Sequence, residues 1–328
     1  MKLASLKNKR DGKLVVVSQD LKFMAPTESI VPTLQAGLDA WEDTAAELEK
    51  LYEKLNSREI SGSPFIPSLC AAPLPRAFHW ADGSAYLNHM ELVRKARGAE
   101  LPESFLEEPL IYQGGSDILL GPHDEISVIN EDWGIDLEAE IAVITGDVPM
   151  GISSEKAPKH ILLVMLANDI SLRNLIPSEL SKGFGFYQSK PPTAFSPVAV
   201  SPHTLGKNWD GRKLKRPINA SINEKLIGNP DAGTDMNFDF GELIAHAART
   251  RPLGPGTIIG SGTVSNCERS RGSTCLAEIR TIETIHNGKP KTPFLKFGDT
   301  IRIEVFDESN QTVFGSIEQT VTKFEPNN

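Results

Sequence analysis

Three acids stand at alternate positions in an otherwise apolar run, Ile135-Asp136-Leu137-Glu138-Ala139-Glu140-Ile141-Ala142-Val143. Strict alternation predicts a β-strand over 135–144, in which side chains two apart share a face. Asp136, Glu138 and Glu140 would then project together, opposite Ile135, Leu137, Ala139, Ile141 and Val143. On a wet strand face, the commoner fate of such a pattern, their mutual repulsion is mild. In a cleft the repulsion grows as water leaves and calls for a counter-cation. Hard oxygen ligands suit Mg²⁺, Ca²⁺ or Mn²⁺. The second reading requires further acids to converge here from elsewhere in the chain.

Candidates for that convergence exist. Asp169 follows the apolar run Ile161–Asn168, which reads as the end of a helix over 154–167 opened by Ser153 or Ser154. A charge placed there needs a partner, an ion or a solvated helix end. Arg173 could pair with Asp169 or face an anion, and taken alone it reads as solvated. Asp82 and His89 share the segment Phe78–His89, and no two of the seven histidines have a zinc-helix spacing. Glu278 sits in a strand predicted over 275–285, where its ordinary place is the solvent face. Gly260-Ser261-Gly262-Thr263 follows a strand at 257–259; small residues there either make a tight bend or let backbone N–H groups approach a ligand. Lys190, before Pro191-Pro192, would by itself be solvated.

The elements that must carry these groups are mostly short strands. Lys2–Lys7 and Leu14–Val17 predict a hairpin closed at Arg10-Asp11-Gly12. Leu34, Leu38, Trp41, Ala45, Leu48, Tyr52 and Leu55 predict one amphipathic helix over 34–55 whose stripe serves packing. Ser57–Pro75 is rich in Ser, Gly and Pro and predicts a linker. A boundary there gives a small N-terminal domain, 1–72, and a larger one, 73–328. Tyr112–Asp117 reads as a glycine loop. Further strands are expected at 126–129, 195–201, 217–223 and 300–306, a hairpin tip at Asn223–Gly228, and a helix near 239–249 opened by Asp239. The pattern is mostly β with some α, a large curled mixed sheet rather than a doubly wound α/β fold.

Composition narrows the partners. A formal charge of −9 argues against nucleic acid. No phosphate loop is present, and Gly183 and Gly185 lack the third glycine of a dinucleotide fingerprint. No run of 18 apolar residues predicts a membrane span, and the first ten residues lack the apolar core of a signal peptide. Cys70, Cys267 and Cys275 form neither a disulfide framework nor a zinc spacing, so reduced thiols in a cytoplasmic protein are expected.

Taken in order, Asp82 and His89, Glu138-Ala139-Glu140, Asn168-Asp169 with Arg173, Lys190, Gly260-Ser261-Gly262-Thr263 and Glu278 resemble the fumarylacetoacetate hydrolase family over roughly residues 75–320. Residues 1–70 resemble the small N-terminal domain of true fumarylacetoacetases. The resemblance implies a divalent metal (Mg²⁺ or Ca²⁺, with Mn²⁺ as a third choice) held by Asp82, Glu138, Glu140 and Asp169. Asp136 has no ligand role in that pattern and is left as a strand or supporting residue. It further implies that His89, oriented by Glu278, activates water. Lys190 and Arg173 would stabilise negative charge, and Tyr112, Gly262 and Thr263 would contact substrate.

Two positions depart from the family pattern. Its oxyanion glutamine, seven residues past Asp169, is Ile176 here, with Gln188 as a candidate replacement. Its substrate-contacting arginine falls near Arg94 or Arg97. The implied activity is hydrolysis of a carbon–carbon bond in a dioxo acid, foremost fumarylacetoacetate in tyrosine degradation, by a homodimer. An acylpyruvate hydrolase, or a decarboxylase, hydratase or isomerase of a 2-oxo acid, would use the same scaffold. A non-catalytic protein with a structural Ca²⁺ site is the rival of another class; it would need the acids but not His89, Lys190 and Arg173.

Overall fold

The computed structural model describes residues 1–95 and 103–326. The chain opens with strands β1 (Lys2–Leu6), β2 (Lys13–Val17) and β3 (Phe23–Pro26), followed by helices α1 (Leu34–Asp39) and α2 (Trp41–Asn56). β4 (Ser63–Pro64), β5 (Trp80–Gly83), α3 (Leu87–Lys95), β6 (Ile111–Gly114) and β7 (Ile126–Val128) follow. The central stretch holds β8 (Ile135–Asp136), β9 (Ala139–Thr145), β10 (Ile161–Asn168), β11 (Ser171–Leu172) and α4 (Ile176–Leu180). Then come β12 (Ala194–Phe195), β13 (Ala199–Val200), β14 (Ile218–Ile222), β15 (Lys225–Gly228), α5 (Phe240–Ala247) and β16 (Ile258–Gly260). α6 (Leu276–Asn287), β17 (Thr300–Val305) and β18 (Ile317–Lys323) complete the order.

Among the described residues, eleven strands form one mixed sheet in the order β4-β3-β2-β1-β13-β10-β9-β16-β5-β6, with β12 paired to β10. It runs without a break from the N-terminal strands into the central ones, because β1 pairs with β13. A second sheet, β15-β14-β17-β18-β7, packs with it. Alternate residues of the long strands enter two cores. Leu3, Val16, Ile144 and Met165 pack with Leu34, Leu38 and Leu48 of α1 and α2. Ala4, Val15, Val143 and Val164 pack with Ile218 and Ile303 of the second sheet.

This two-sided burial explains the largest departure from expectation. Ile161–Asn168 is the central strand β10, not a helix; only a 3₁₀ turn, Ala157–His160, precedes it. A strand buried on both faces reads as a continuous apolar run, which periodicity cannot separate from a buried helix. The reverse error falls at 275–285, which forms helix α6 and ends at Gly288 in the left-handed region, φ 77°. The expected single helix at 34–55 is two, broken at Ala40, with Thr33 capping α1 through the N–H of Ala36. The expected strand 135–144 is likewise split between β8 and β9. The hairpin β1–β2, the strands at 126–128, 218–222, 258–260 and 300–305, and α5 with its Asp239/Glu242 capping box stand where the pattern puts them. Asn223 and Glu224 turn the β14–β15 hairpin with φ of 49° and 65°. No helix among the described residues is long and apolar enough to cross a membrane.

Candidate active site

The sheet order explains why distant residues meet. Neighbouring strands place Asp82 beside Tyr112 across β5–β6, Gly260 beside Asp82 across β16–β5, and Glu140 beside Ala167 across β9–β10. Asp169 follows directly on β10, and its N–H donates to the carbonyl of Glu138 (3.0 Å). One carboxylate oxygen each from Asp82, Glu140 and Asp169 lies within 4.8 Å of the other two. All three side chains are buried. Glycine is required between them: a Cβ on Gly260 would stand 2.2 Å from Asp82 Oδ1 and 2.5 Å from the Trp80 ring. Gly260→Ala is therefore expected to displace the Asp82 carboxylate and to cost about 1–3 kcal/mol, as overpacking does. A denaturant melt and a cation titration of the variant check this.

The three carboxylates are unequally served. Tyr112 Oη donates to both oxygens of Asp169 (2.9 and 2.8 Å), and Thr193 Oγ1 and Lys190 Nζ donate to it at 2.8 and 2.5 Å. Gly262 N donates to Asp82 (3.1 Å). Both oxygens of Glu140, fully buried, have no hydrogen-bond donor among the described residues. Burial first, then the charges of Asp82, Asp169 and Glu138, raise the Glu140 carboxyl well above the usual carboxylate range. Burial and Asp169 do the same to Asp82. An orphaned buried carboxylate flanked by two others, with oxygen as the sole donor type, suits a hard divalent cation.

Glu138 stands one ion pair away. Its Oε1 accepts from Arg173 (2.7 Å) and its Oε2 from Lys190 (2.6 Å), whose ammonium also holds Asp169. Burial opposes its ionisation, but Arg173 and then Lys190 outweigh burial and hold its pKa far below the usual range. The structure thus gathers three of the four expected ligands tightly and links the fourth to them through Lys190.

His89, on α3, has Nδ1 2.7 Å from Glu278 Oε1, and its Nε2 is 3.9 Å from Glu138 Oε1. A carboxylate accepts through its oxygens, so the contact suits the tautomer with the proton on Nδ1, which leaves Nε2 as an acceptor. Glu278 lies in the first turn of helix α6 rather than on a strand face, and it is buried. The cleft, about 350 Å³, is also lined by Asp82, Tyr112, Arg173, Lys190, Gly262 and Thr263. Of the two arginines near the expected substrate-contacting position, Arg94 lines the cleft and Arg97 lies outside the described residues. Ile176 lines the cleft as well. Gln188, the candidate replacement for the glutamine, lines a separate cavity beside Trp133 and Phe324 and is not among the residues lining this cleft.

Sequence reasoning missed one contributor. Thr193, which receives Trp80 Nε1 (3.2 Å) and donates to Asp169, sits in a stretch with no motif. Asp136, expected as a strand or supporting residue, takes the supporting role. It accepts from the N–H groups of Leu276 (2.7 Å) and Ala277 (2.9 Å), so it caps α6, and from Arg173 Nε (2.8 Å). One carboxylate therefore ties the helix that carries Glu278 to the arginine that holds Glu138. Asn has one acceptor oxygen where three donors converge. Asp136→Asn is expected to destabilise the fold by about 3 kcal/mol, the scale of a broken buried pair. It should also lower kcat at temperatures where the variant remains folded, which steady-state kinetics beside a melting curve would test.

Comparison with known proteins agrees with this architecture. Residues 78–322 match the family model described as fumarylacetoacetate (FAA) hydrolase C-terminal, and residues 1–76 match fumarylacetoacetase N-terminal domain 2. The chain belongs to the fumarylacetoacetate hydrolase family. The oxaloacetate tautomerase YisK of Bacillus subtilis is 27% identical over 305 residues, 90% of each chain. A fumarylacetoacetate hydrolase from Exiguobacterium antarcticum superposes with a TM-score of 0.66 at 15% identity, covering 99% of this chain and 100% of that one. Maleylpyruvate hydrolase from Sphingobium sp. SYK-6, solved with manganese(II) and pyruvate, gives the same TM-score, identity and coverage. Hydrolases and tautomerases thus both occur among its relatives.

Proposed function

We propose that this protein is a divalent-metal-dependent hydrolase that cleaves the carbon–carbon bond of a β-dioxo acid. The observation that carries the reading is the His89–Glu278 pair (2.7 Å), with Nε2 3.9 Å from Glu138 Oε1 in the cleft that His89 and Glu138 both line. Asp82, Glu140 and Asp169, joined by Glu138, would hold the cation. Bound there, it supplies Lewis-acid polarisation of the substrate's oxygens and compensates charge. His89 Nε2 takes a proton from water, and the resulting hydroxide adds to the substrate carbonyl. Glu278 keeps the ring oriented and offsets the charge of the imidazolium. As the carbon–carbon bond breaks, Lys190 and Arg173 place fixed positive charge beside the leaving carbon fragment, where negative charge grows. His89 returns the proton to that fragment. Tyr112 and Thr263 would contact the substrate's carboxylate end.

The test is the ultraviolet absorbance of dioxo acids with Mg²⁺, Ca²⁺ or Mn²⁺. Loss of absorbance that a chelator stops is the expected result. No chelator-sensitive loss with any dioxo acid would leave a protein whose acids hold a structural ion.

A second reading, keto–enol tautomerisation of a 2-oxo acid, draws support from the relative YisK, aligned over nine-tenths of the chain. It needs proton transfer but no water addition. Rapid loss of the enol form of oxaloacetate, without cleavage of any dioxo acid, would favour it.

A further inference from the structure

We propose that the substrate's distal end is a hydrocarbon acyl group, and that Ile176 and Leu180 select it; this rests on the dioxo-acid reading above. Two cations that line the cleft, Arg173 and Lys190, are already committed to buried carboxylates. Arg173 is divided between Asp136 and Glu138, and Lys190 between Glu138 and Asp169. Both side chains are nearly buried, at 11% and 7% exposure. The walls are different in kind. Met90 and Val93 of α3, Leu110, Ile176 and Leu180 of α4, and Phe186 line the same cleft. Leu110 and Leu180 are 43% and 40% exposed and carry the apolar wall to the mouth, while Ile176 and Met90 are buried, as the acids are. Phe186 is fixed edge-on against Tyr112, with centroids 5.4 Å apart, which joins wall to floor.

A dioxo acid seated with its carboxylate and paired oxygens on the floor would direct the rest of its chain along this wall. A hydrocarbon group there gains from burial. A second carboxylate, as in fumarylacetoacetate, would lose water against apolar side chains. Arg94 is the one further cation of this lining among the described residues, and its guanidinium already stacks 4.4 Å over the Phe105 ring. The position where family reasoning expects an amide holds Ile176, which offers the substrate no polar group.

The test is a series of 2,4-dioxo acids with acetyl, butanoyl and hexanoyl groups beside fumarylpyruvate, with kcat/KM measured under saturating Mg²⁺, Mn²⁺ or Ca²⁺. We expect kcat/KM to rise about two- to fourfold per added methylene, the scale of burying one CH₂, and the hexanoyl compound to exceed fumarylpyruvate. Ile176→Gln should shift the hexanoyl-to-fumaryl ratio toward the dicarboxylate at least fivefold. Should that variant fold poorly, Leu180→Gln, at a more exposed position, should move the ratio the same way. Turnover of the acetyl compound with a flat or falling alkyl series, or with fumarylpyruvate preferred, overturns this proposal and leaves the hydrolase reading standing. No turnover of any member overturns both.

Discussion

Replacing His89 with alanine is expected to lower kcat for dioxo-acid cleavage by about 10²–10⁴-fold, the range of a positioned general base, while cation affinity stays close to that of the parent protein. The two parts separate because His89 lies outside the group Asp82, Glu140 and Asp169, whose oxygens converge without it. Its ring touches the acids only at the margin, 3.9 Å from Glu138. Glu278→Gln should fall between the two, because an amide oxygen still accepts from Nδ1 but no longer compensates an imidazolium. Steady-state rates and calorimetric cation titrations of the three proteins make the comparison. A His89→Ala protein that turns over substrate near the parent rate would remove the assigned base.

Glu140→Gln should have opposite effects on the metal-free and metal-loaded protein. Without a cation, the buried and unpaired Glu140 carboxyl faces Asp82, Asp169 and Glu138, and burial and these charges hold its pKa well up. An amide removes that repulsion, so the melting temperature in chelator should hold or rise. With a cation, the parent gains stability by mass action, about 2.7 kcal/mol at a hundredfold excess over Kd. The variant should lose most of that gain, and activity with it. Differential scanning calorimetry with chelator and with Mg²⁺ or Mn²⁺ reads both arms. An equal cation-induced shift in both proteins would place the ion elsewhere.

The parts of this molecule that were legible in the sequence are those governed by local chemistry. The β1–β2 turn, the Asp239 start of α5 and the Asn223–Glu224 hairpin rest on residues that dictate backbone conformation nearby. The Glu138-x-Glu140 pair was visible because alternation is local. What local pattern could not supply was context. β10 reads as a helix because burial on both faces erases alternation, and that reading places Asp169 at a helix end. The apolar segment Cys275–Ile279 reads as a strand because the group that caps α6, Asp136, comes from 140 residues earlier. The same long reach hid Thr193 beside Asp169. His89 and Glu278, 189 residues apart, were brought together by family resemblance and not by any spacing.

The proposed chemistry requires a single ion held by carboxylates contributed by separate strands, next to an imidazole. The most direct measurement is anomalous scattering from crystals grown with Mn²⁺. One peak is predicted within about 2.0–2.6 Å of oxygens from Asp82, Glu140 and Asp169, the range for hard cations, with Glu138 on its border. Density there that is absent at saturating Mn²⁺, or a peak instead among His89, Glu278 and Cys275, would contradict it.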